Sequence, residues 1–439
     1  MYDEVIIGSG PAGTALAYGL KAQGHQVAIV ERGKWGGTCP NVGCDPTKIM
    51  MATIETYWQA KHMLEAGMEG DLKINWSSLL ARKNAYTDTF PSSALNNLKN
   101  TNIDTYYGNA SFNTEGQLNI EMKGVFQSIE SKRFVIATGQ SPIIPDIKGK
   151  EFLKTSNDFL DFENLPARLT FIGGGPVAIE LAQIAAATGS EVSIILHGER
   201  KINGFDQNLA EEYLKILEKQ GINIYSNIEI RQVEKIDSAY LLSDAEGFKL
   251  EADEVISAVG RKPNVEGLNL DLVNVRNSKK GIEVNSHLQT TNKEIFALGD
   301  VIDKKGGKLT PVAGFEAGYL TTFLTSESQD AIDYPLYPTV IFGSTKLARV
   351  GELNGLDHQV KRIDMSNWYT YRRFADPEAK AKIYYNDNHE IIGATVLSVI
   401  ADEIINYMTF LINKKMKLPE VRKLLMAYPT PASDLQYFY

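Results

Sequence analysis

Cysteine is nearly absent from this chain, with two in 439 residues. That scarcity argues against a disulfide-stapled secreted fold and for a reducing compartment, so a cytoplasmic protein is expected. No run of 18 or more apolar residues occurs, and no membrane helix or membrane partner is expected. The N-terminus passes from Met1-Tyr2-Asp3-Glu4 straight into Val5-Ile6-Ile7-Gly8. It has no basic stretch followed by an apolar one, so no secretory signal is expected. Positive charge is in deficit: the net charge is −9. A nucleic-acid partner needs a basic face, and none is expected. Low-complexity tracts are missing as well. The remaining composition, 43% apolar and 23% charged, is that of an ordinary globular chain, and its length suggests about two to four domains.

What the chain does have is one Gly-rich pattern used twice. Val5 to Ile7 reads as a strand, Gly8-Ser9-Gly10-Pro11-Ala12-Gly13 as a turn, and Ala15 to Ala22 as a helix closed by Gly24. Val27 to Val30 is the next strand, ending at Glu31. Gly8, Gly10 and Gly13 let the backbone approach a pyrophosphate at a helix N-terminus. Glu31, 18 residues past Gly13, is placed to accept from ribose hydroxyls. A Gly-rich turn of another α/β protein is the competing reading, and Glu31 in register argues against it.

The second copy runs Leu169 to Ile172, then Gly173-Gly174-Gly175-Pro176-Val177-Ala178, then a helix from Ile179 to Ala187, Gly189, and a strand from Val192 to Leu196. The copies align without a gap, so Leu196 falls opposite Glu31. Leucine cannot accept from a 2′-hydroxyl. The residues after it, His197-Gly198-Glu199-Arg200-Lys201, are mostly basic and would welcome a 2′-phosphate, which points to NADPH over NADH. Glu199 counts against this, and a solvated face at Arg200 and Lys201 is the alternative.

Residues 50 to 100 look helical and 103 to 137 look like short strands. Residues 136 to 139, 255 to 261 and 295 to 300 end strands in tight turns. Beyond about 330 an antiparallel sheet is expected from Tyr337 to Phe342, Leu347 to Leu353, Trp368 to Phe374, Lys380 to Tyr385 and Ile391 to Leu397. Helices near 402 to 414 and 418 to 426 follow.

Both cysteines fall in Gly36-Gly37-Thr38-Cys39-Pro40-Asn41-Val42-Gly43-Cys44-Asp45-Pro46-Thr47-Lys48. With four residues between them they can close a disulfide across one helical turn. Residues 49 to 66 look helical, which puts Cys44 near a helix N-terminus, where the dipole favours thiolate. A metal site is the rival and fails on ligand count, since no histidine or further cysteine is near in sequence; no metal is expected. Two inert thiols are the other alternative.

This segment is similar to the disulfide signature of the class I pyridine nucleotide–disulfide oxidoreductases, the family of glutathione reductase, dihydrolipoamide dehydrogenase and mercuric reductase. Ala137-Thr138-Gly139, Gly260-Arg261-Lys262-Pro263-Asn264, Ala297-Leu298-Gly299-Asp300 and Leu309-Thr310-Pro311-Val312-Ala313 extend the resemblance over essentially the whole chain. It implies an α/β fold of two Rossmann-like dinucleotide-binding domains plus a C-terminal α+β dimerisation domain. The implied segments are 1–150 and 263–329 for FAD, 151–262 for NAD(P)H and 330–439 for the homodimer interface. Gly37, Thr38, Ala137, Thr138, Gly139, Gly260, Arg261, Gly299, Thr310 and Ala313 would join the first turn around the cofactors, with Asp300 on the FAD ribityl chain. Gly173, Gly175, Val177, His197 and Arg200 would hold the nicotinamide coenzyme. Cys44 would be the sulfur packed on the flavin and Cys39 the interchange thiol, and Lys48 would pair with Glu180. The implied activity passes electrons from NADPH through FAD and the Cys39–Cys44 disulfide to a small-molecule acceptor, a small disulfide. A metal-ion, quinone or oxygen reductase, or a redox-sensing flavoprotein without turnover, is the alternative.

The chain departs from the family near its end. Where disulfide-reducing members carry a histidine and, five residues on, a glutamate, this sequence has Tyr428 and Ser433. Its six histidines, His25, His62, His197, His287, His358 and His389, all lie elsewhere. Tyr428 is therefore the candidate at the acid/base position, with packing in the interface as its alternative. A phenol is a poor proton shuttle at neutral pH. Asp434 is the nearby carboxylate on its C-terminal side.

Overall fold

A computed structural model describes residues 1–199, 201–304, 307–327, 330–353 and 359–439. The chain divides into two units. The first comprises Met1–Pro46, Lys83–Ile143 and Arg261–Tyr334. Its centre is a parallel sheet in the order Ile295–Ala297, Ser131–Ile136, Tyr2–Ile7, Val27–Glu31 and Asp104–Tyr107. Val5, Ile6, Val27, Ala28, Ile29 and Val30 are all at most 2% exposed, as expected of parallel strands covered on both faces. The helices Pro11–Ala22 and Thr310–Thr325 belong to this unit, each opening with a proline in its first turn, where a missing N–H costs nothing. An antiparallel meander of Asn109–Phe112, Leu118–Met122 and Val125–Ile129 completes it.

The second unit comprises Thr47–Arg82, Ile144–Gly260 and Pro335–Tyr439. It repeats the theme with a parallel sheet ordered Ile222–Tyr225, Glu191–Ile195, Arg168–Ile172 and Glu254–Ser257. Its C-terminal part is an antiparallel sheet ordered Thr339–Ile341, Lys346–Gly351, Ile391–Ser398, Lys380–Tyr385 and Gln359–Asp364. The helix Ala401–Asn413 buries Ile404, Ile405, Met408, Leu411 and Ile412 in the core of this part. Their spacing makes one apolar stripe, and each such side chain contributes about 1.5–3 kcal/mol of burial. Within this unit Asp206 caps the helix Gln207–Lys219 by accepting from Leu209 N, and also accepts from Lys382 Nζ and from Tyr384 Oη at 2.9 Å.

The expected α/β class, with two parallel dinucleotide sheets and a C-terminal α+β segment, is what the chain adopts. Three local expectations fail; the helix near 418 to 426 is only the single turn Leu418–Val421. Trp368 to Phe374 is not a strand: Tyr369–Arg373 is a short helix. Its aromatic residues suit a strand, but Tyr371 is fully buried and Trp368 packs edge-on against Tyr437 and Phe438 at 5.5 and 5.6 Å. The fifth strand of the sheet is Gln359–Asp364 instead. The region 50 to 100 is also not uniformly helical, since Gly67 to Asn75 separate the helices Cys44–Met63 and Trp76–Thr87.

Candidate functional site

The first Gly-rich turn lies between the strand Tyr2–Ile7 and the helix Pro11–Ala22. Gly8 ends the strand, and a Cβ on Gly13 would stand 2.0 Å from Gly8 O, so only glycine lets the helix start so close to the strand. Gly10 is the helix N-cap, with no side chain capping it, and a Cβ there would meet nothing within 4 Å. The first-turn N–H groups thus face open space with positive potential, a cradle that fits a pyrophosphate. Gly139, at φ +64°, has the same open space beside it.

Glu31 sits at the end of its strand, as expected, but already has protein donors. Its Oε2 accepts from Ser9 N at 2.9 Å and Ser9 Oγ at 2.7 Å, and Oε1 accepts from Gly33 N at 2.7 Å. A carboxylate offers about four acceptor positions, so one is left for a ribose hydroxyl. Ser9 Oγ in turn accepts from Gly36 N at 3.1 Å, and a Cβ on Gly37 would stand 2.5 Å from Gly10 Cα. The cysteine segment therefore packs directly on the first Gly-rich turn.

Cys39 lies in the helix Thr38–Val42 and Cys44 opens the helix Cys44–Met63. The two are not on one helical turn, as the spacing suggests, because Gly43 breaks the path between them. Neither is in a disulfide in this structure; Cys39 is half-buried and Cys44 exposed. Thr310 Oγ1, at the start of its helix, stands 3.7 Å from Cys44 Sγ, and Thr38, which opens the helix of Cys39, is exposed. The Cys39 thiol is pushed up by its hydrogen bond to Cys44, by burial and by the charge of Asp45, with Thr310 opposing. Cys39 Sγ donates to Asp45 Oδ1 at 3.6 Å, and Tyr86 Oη donates to Asp45 Oδ2 at 2.6 Å.

A third group surrounds Gly299 and Asp300. Gly299 N donates to Glu316 Oε2 at 2.6 Å, while Glu316 Oε1 accepts from Lys304 Nζ at 2.6 Å and Tyr334 Oη at 2.9 Å. Glu316 is 0% exposed; it anchors the turn to the helix that carries Thr310 and the buried Ala313. Burial pushes the Asp300 carboxyl up, and Lys304, Lys308 and Arg261 oppose the shift. Arg261 donates to Gln140 O at 2.6 Å. Thr138 Oγ1 donates to Asn264 O, and Asn264 Nδ2 returns a bond to Thr138 O, which ties the Ala137-Thr138-Gly139 turn to the Gly-Arg-Lys-Pro-Asn segment.

In the second unit, Gly173 ends a strand and Gly175 caps the helix Pro176–Ala187 without a side-chain cap; a Cβ on Gly175 meets nothing within 4 Å. Val177 is exposed on its first turn, and Gly260 takes φ +132°. Leu196 is buried, and a Cβ on Gly174 would stand 2.2 Å from its Cδ2. The same two positions thus touch in both copies, as a carboxylate and a serine in one and as apolar groups in the other. His197 and Lys201 are exposed, and Lys201 Nζ lies 3.3 Å from Glu199 Oε2. Arg200 falls outside the described residues.

Lys48 and Glu180 do meet, Nζ to Oε2 at 2.5 Å. Glu180 Oε1 accepts from Phe342 N at 3.1 Å, and Lys48 Nζ sits 4.6 Å from the Phe342 ring centroid. Tyr428 is 71% exposed and stacks on Tyr369, with centroids 6.0 Å apart. Asp434 is buried beside Thr370, and burial pushes its carboxyl up.

Sequence reasoning gave no role to Asp45, which stands out in the cysteine segment as atypical of the glutathione enzymes, or to Tyr86, Glu316, Lys304 and Phe342. Asp45 was visible as an acidic residue beside Cys44; the other four are brought in by tertiary contacts.

Residues 2–317 match the family described as pyridine nucleotide-disulphide oxidoreductase, and residues 337–437 match its dimerisation domain. The dihydrolipoyl dehydrogenase of Bacillus subtilis (strain 168) is 30% identical over 98% of this chain and 96% of its own length. A mercuric reductase of Staphylococcus aureus is 31% identical over 99% of this chain and 81% of its own length. The solved Cu(II) complex of the HOCl-induced flavoprotein disulfide reductase RclA from Escherichia coli superposes with a TM-score of 0.89 at 25% identity, covering 100% of this chain and 98% of that chain.

Proposed function

Because this chain belongs to the class I pyridine nucleotide–disulfide oxidoreductases, enzymes that use FAD and a pyridine nucleotide, we propose that Cys39 and Cys44 are its redox pair and deliver electrons from NADPH to a small disulfide. The observation that carries this reading is the packing of the cysteine segment on the phosphate turn, through Gly36 N to Ser9 Oγ and through Gly37 against Gly10. Dinucleotide and disulfide are thereby held by one piece of backbone.

Bound FAD supplies two-electron chemistry between a nicotinamide and a disulfide. The chain's own contributions follow from position. Gly8, Gly10, Gly13, Gly37, Thr38 and the Ala137–Gly139 turn cradle the phosphates, Glu31 takes a ribose hydroxyl on its remaining acceptor position, and Asp300 holds the ribityl chain with Arg261, Thr310 and Ala313 around it. These lie in segments 1–150 and 263–329. In segment 151–262, Gly173, Gly175, Val177, Gly260, His197 and Arg200 bind the coenzyme, and buried Leu196 leaves no carboxylate to repel a 2′-phosphate. Glu180 fixes the Lys48 ammonium. Residues 330–439 form the homodimer interface, where Tyr428 is exposed for the partner.

Titration of the anaerobic holoenzyme with NADPH tests the reading. Two-electron reduction should raise long-wavelength absorbance beside the flavin band. Cys44→Ser should abolish that absorbance, and Cys39→Ser should show it without reductant. A band that persists in Cys44→Ser overturns the assignment.

A further inference from the structure

The two oxygens of Asp45 serve two different donors. One accepts from the Cys39 thiol, the other from the Tyr86 phenol. Asp45 reaches Cys39 from the first turn of the helix Cys44–Met63, and Tyr86 comes from the helix Trp76–Thr87, 41 residues away. The Tyr86 ring is itself held against Phe90, with centroids 5.5 Å apart. The carboxylate is thus fixed at both ends. Burial and the bond to Asp45 push the Tyr86 hydroxyl up to about 12, so it remains a donor throughout the neutral range.

The Cys39 proton needs somewhere to go. Its hydrogen bond to Cys44 and its burial hold it on the sulfur, yet only the thiolate attacks a disulfide. Among the described residues, Asp45 is the carboxylate hydrogen-bonded to that sulfur.

We propose that Asp45 is a catalytic residue, the proton acceptor and donor for Cys39 in thiol–disulfide exchange, and that Tyr86 is the positioning residue that holds its carboxylate. This rests on the reading of Cys39–Cys44 as the redox pair. In the exchange, the reduced dithiol carries a Cys39 thiol and a Cys44 thiolate. The Cys39 proton passes to Asp45 as its sulfur attacks the acceptor disulfide. A Cys39–acceptor bond forms, the acceptor S–S bond breaks, and the first leaving thiolate takes the proton back from Asp45. The Cys44 thiolate then attacks Cys39 sulfur, the mixed disulfide breaks, and the second leaving thiolate is protonated by solvent. The enzyme dithiol is oxidised to a disulfide, and the acceptor is reduced to two thiols.

The titratable groups facing Asp45 are Cys39, from the helix Thr38–Val42, and Tyr86; Cys44 precedes it on its own helix, and Thr310, which stands against Cys44, does not titrate. Removing the charge with Asp45→Asn therefore makes two opposite predictions. Without the neighbouring anion, Cys39 ionises more readily, so iodoacetamide should alkylate it faster at pH 7 in the reduced holoenzyme. Without a proton acceptor, oxidation of the reduced enzyme by bis(2-hydroxyethyl) disulfide in stopped flow should slow by about 10²-fold, the scale of general acid–base help.

If both rates rise, Asp45 only repels charge and the proposal fails. If neither changes, it also fails. Tyr86→Phe keeps the carboxylate and serves if Asp45→Asn does not fold. It should slow the same oxidation less while leaving the iodoacetamide rate of Cys39 as in wild type, since the Asp45 charge stays in place; an unslowed oxidation overturns the positioning role. Wild type that gains no titratable thiols on reduction by NADPH overturns the redox-pair reading and this proposal together. Wild type that gains two, with Asp45→Asn behaving as wild type, overturns the relay alone.

Discussion

Glu316→Gln should unfasten the turn that carries Asp300. The native carboxylate is 0% exposed and takes three donors: Gly299 N, the Lys304 ammonium and the Tyr334 hydroxyl. Lys304 is itself only 11% exposed. Glutamine keeps the volume but loses the charge, and one of its two ends becomes a donor facing donors. Lys304 is then a buried cation without its anion. Breaking such a pair from one side typically costs about 3–5 kcal/mol. Urea unfolding of the holoenzyme, followed by flavin release, should show that loss. FAD binds only the folded state, so a hundredfold excess over its dissociation constant should recover about 2.7 kcal/mol. Adding Lys304→Met removes the orphaned charge and should restore part of the stability, since replacing both partners costs less than stranding one. The reasoning is refuted if Glu316→Gln stays within about 1 kcal/mol of wild type, or if adding Lys304→Met makes matters worse.

At Asp206, burial would pull the carboxyl up, but hydrogen bonds from Lys382, Leu209 N and Tyr384 outweigh it and hold it below the usual range. Its stabilisation is therefore complete above the unfolded value of about 4 and is lost as pH falls through the folded value. Asp206→Asn should cost about 1.5–3 kcal/mol at neutral pH and flatten the acid limb of the urea midpoint; an unchanged limb refutes it. Light scattering at micromolar concentration should give twice 48.6 kDa, because Leu425 at 98% and Tyr428 at 71% exposure are large apolar side chains in need of cover, and a monomer would count against the dimer. The kcat/KM for NADPH should exceed that for NADH, and the opposite order would sink the coenzyme assignment.

Much of this architecture was readable because it is written locally. A strand, a glycine turn and a helix that opens with proline need only neighbouring residues, and both copies can be found that way. Cys39 and Cys44 are equally local. The helix Tyr369–Arg373 was not, because its aromatic residues favour a strand until Tyr371 meets the core around Phe438. The strand Gln359–Asp364 was silent because five of its six residues are exposed, so no alternation marks it. Lys48 and Glu180, 132 residues apart, were paired only through family resemblance. Tyr86 and Glu316 had no such guide: neither sits in a recognisable pattern, and each acquires meaning from a partner supplied by the fold.

The paired positions of the two glycine turns have a consequence for anyone redesigning the second cleft. Ser9 with Glu31 and Gly174 with Leu196 are two settings of one contact, and the route between them has a direction. Gly174→Ser made first drives a Cβ to within 2.2 Å of Leu196 Cδ2, so the buried leucine side chain has to swing aside. Leu196→Glu made first removes that obstacle and leaves a carboxylate short of one hydroxyl donor, which the serine then provides. The two substitutions are epistatic, and the carboxylate-first order spares the leucine that displacement.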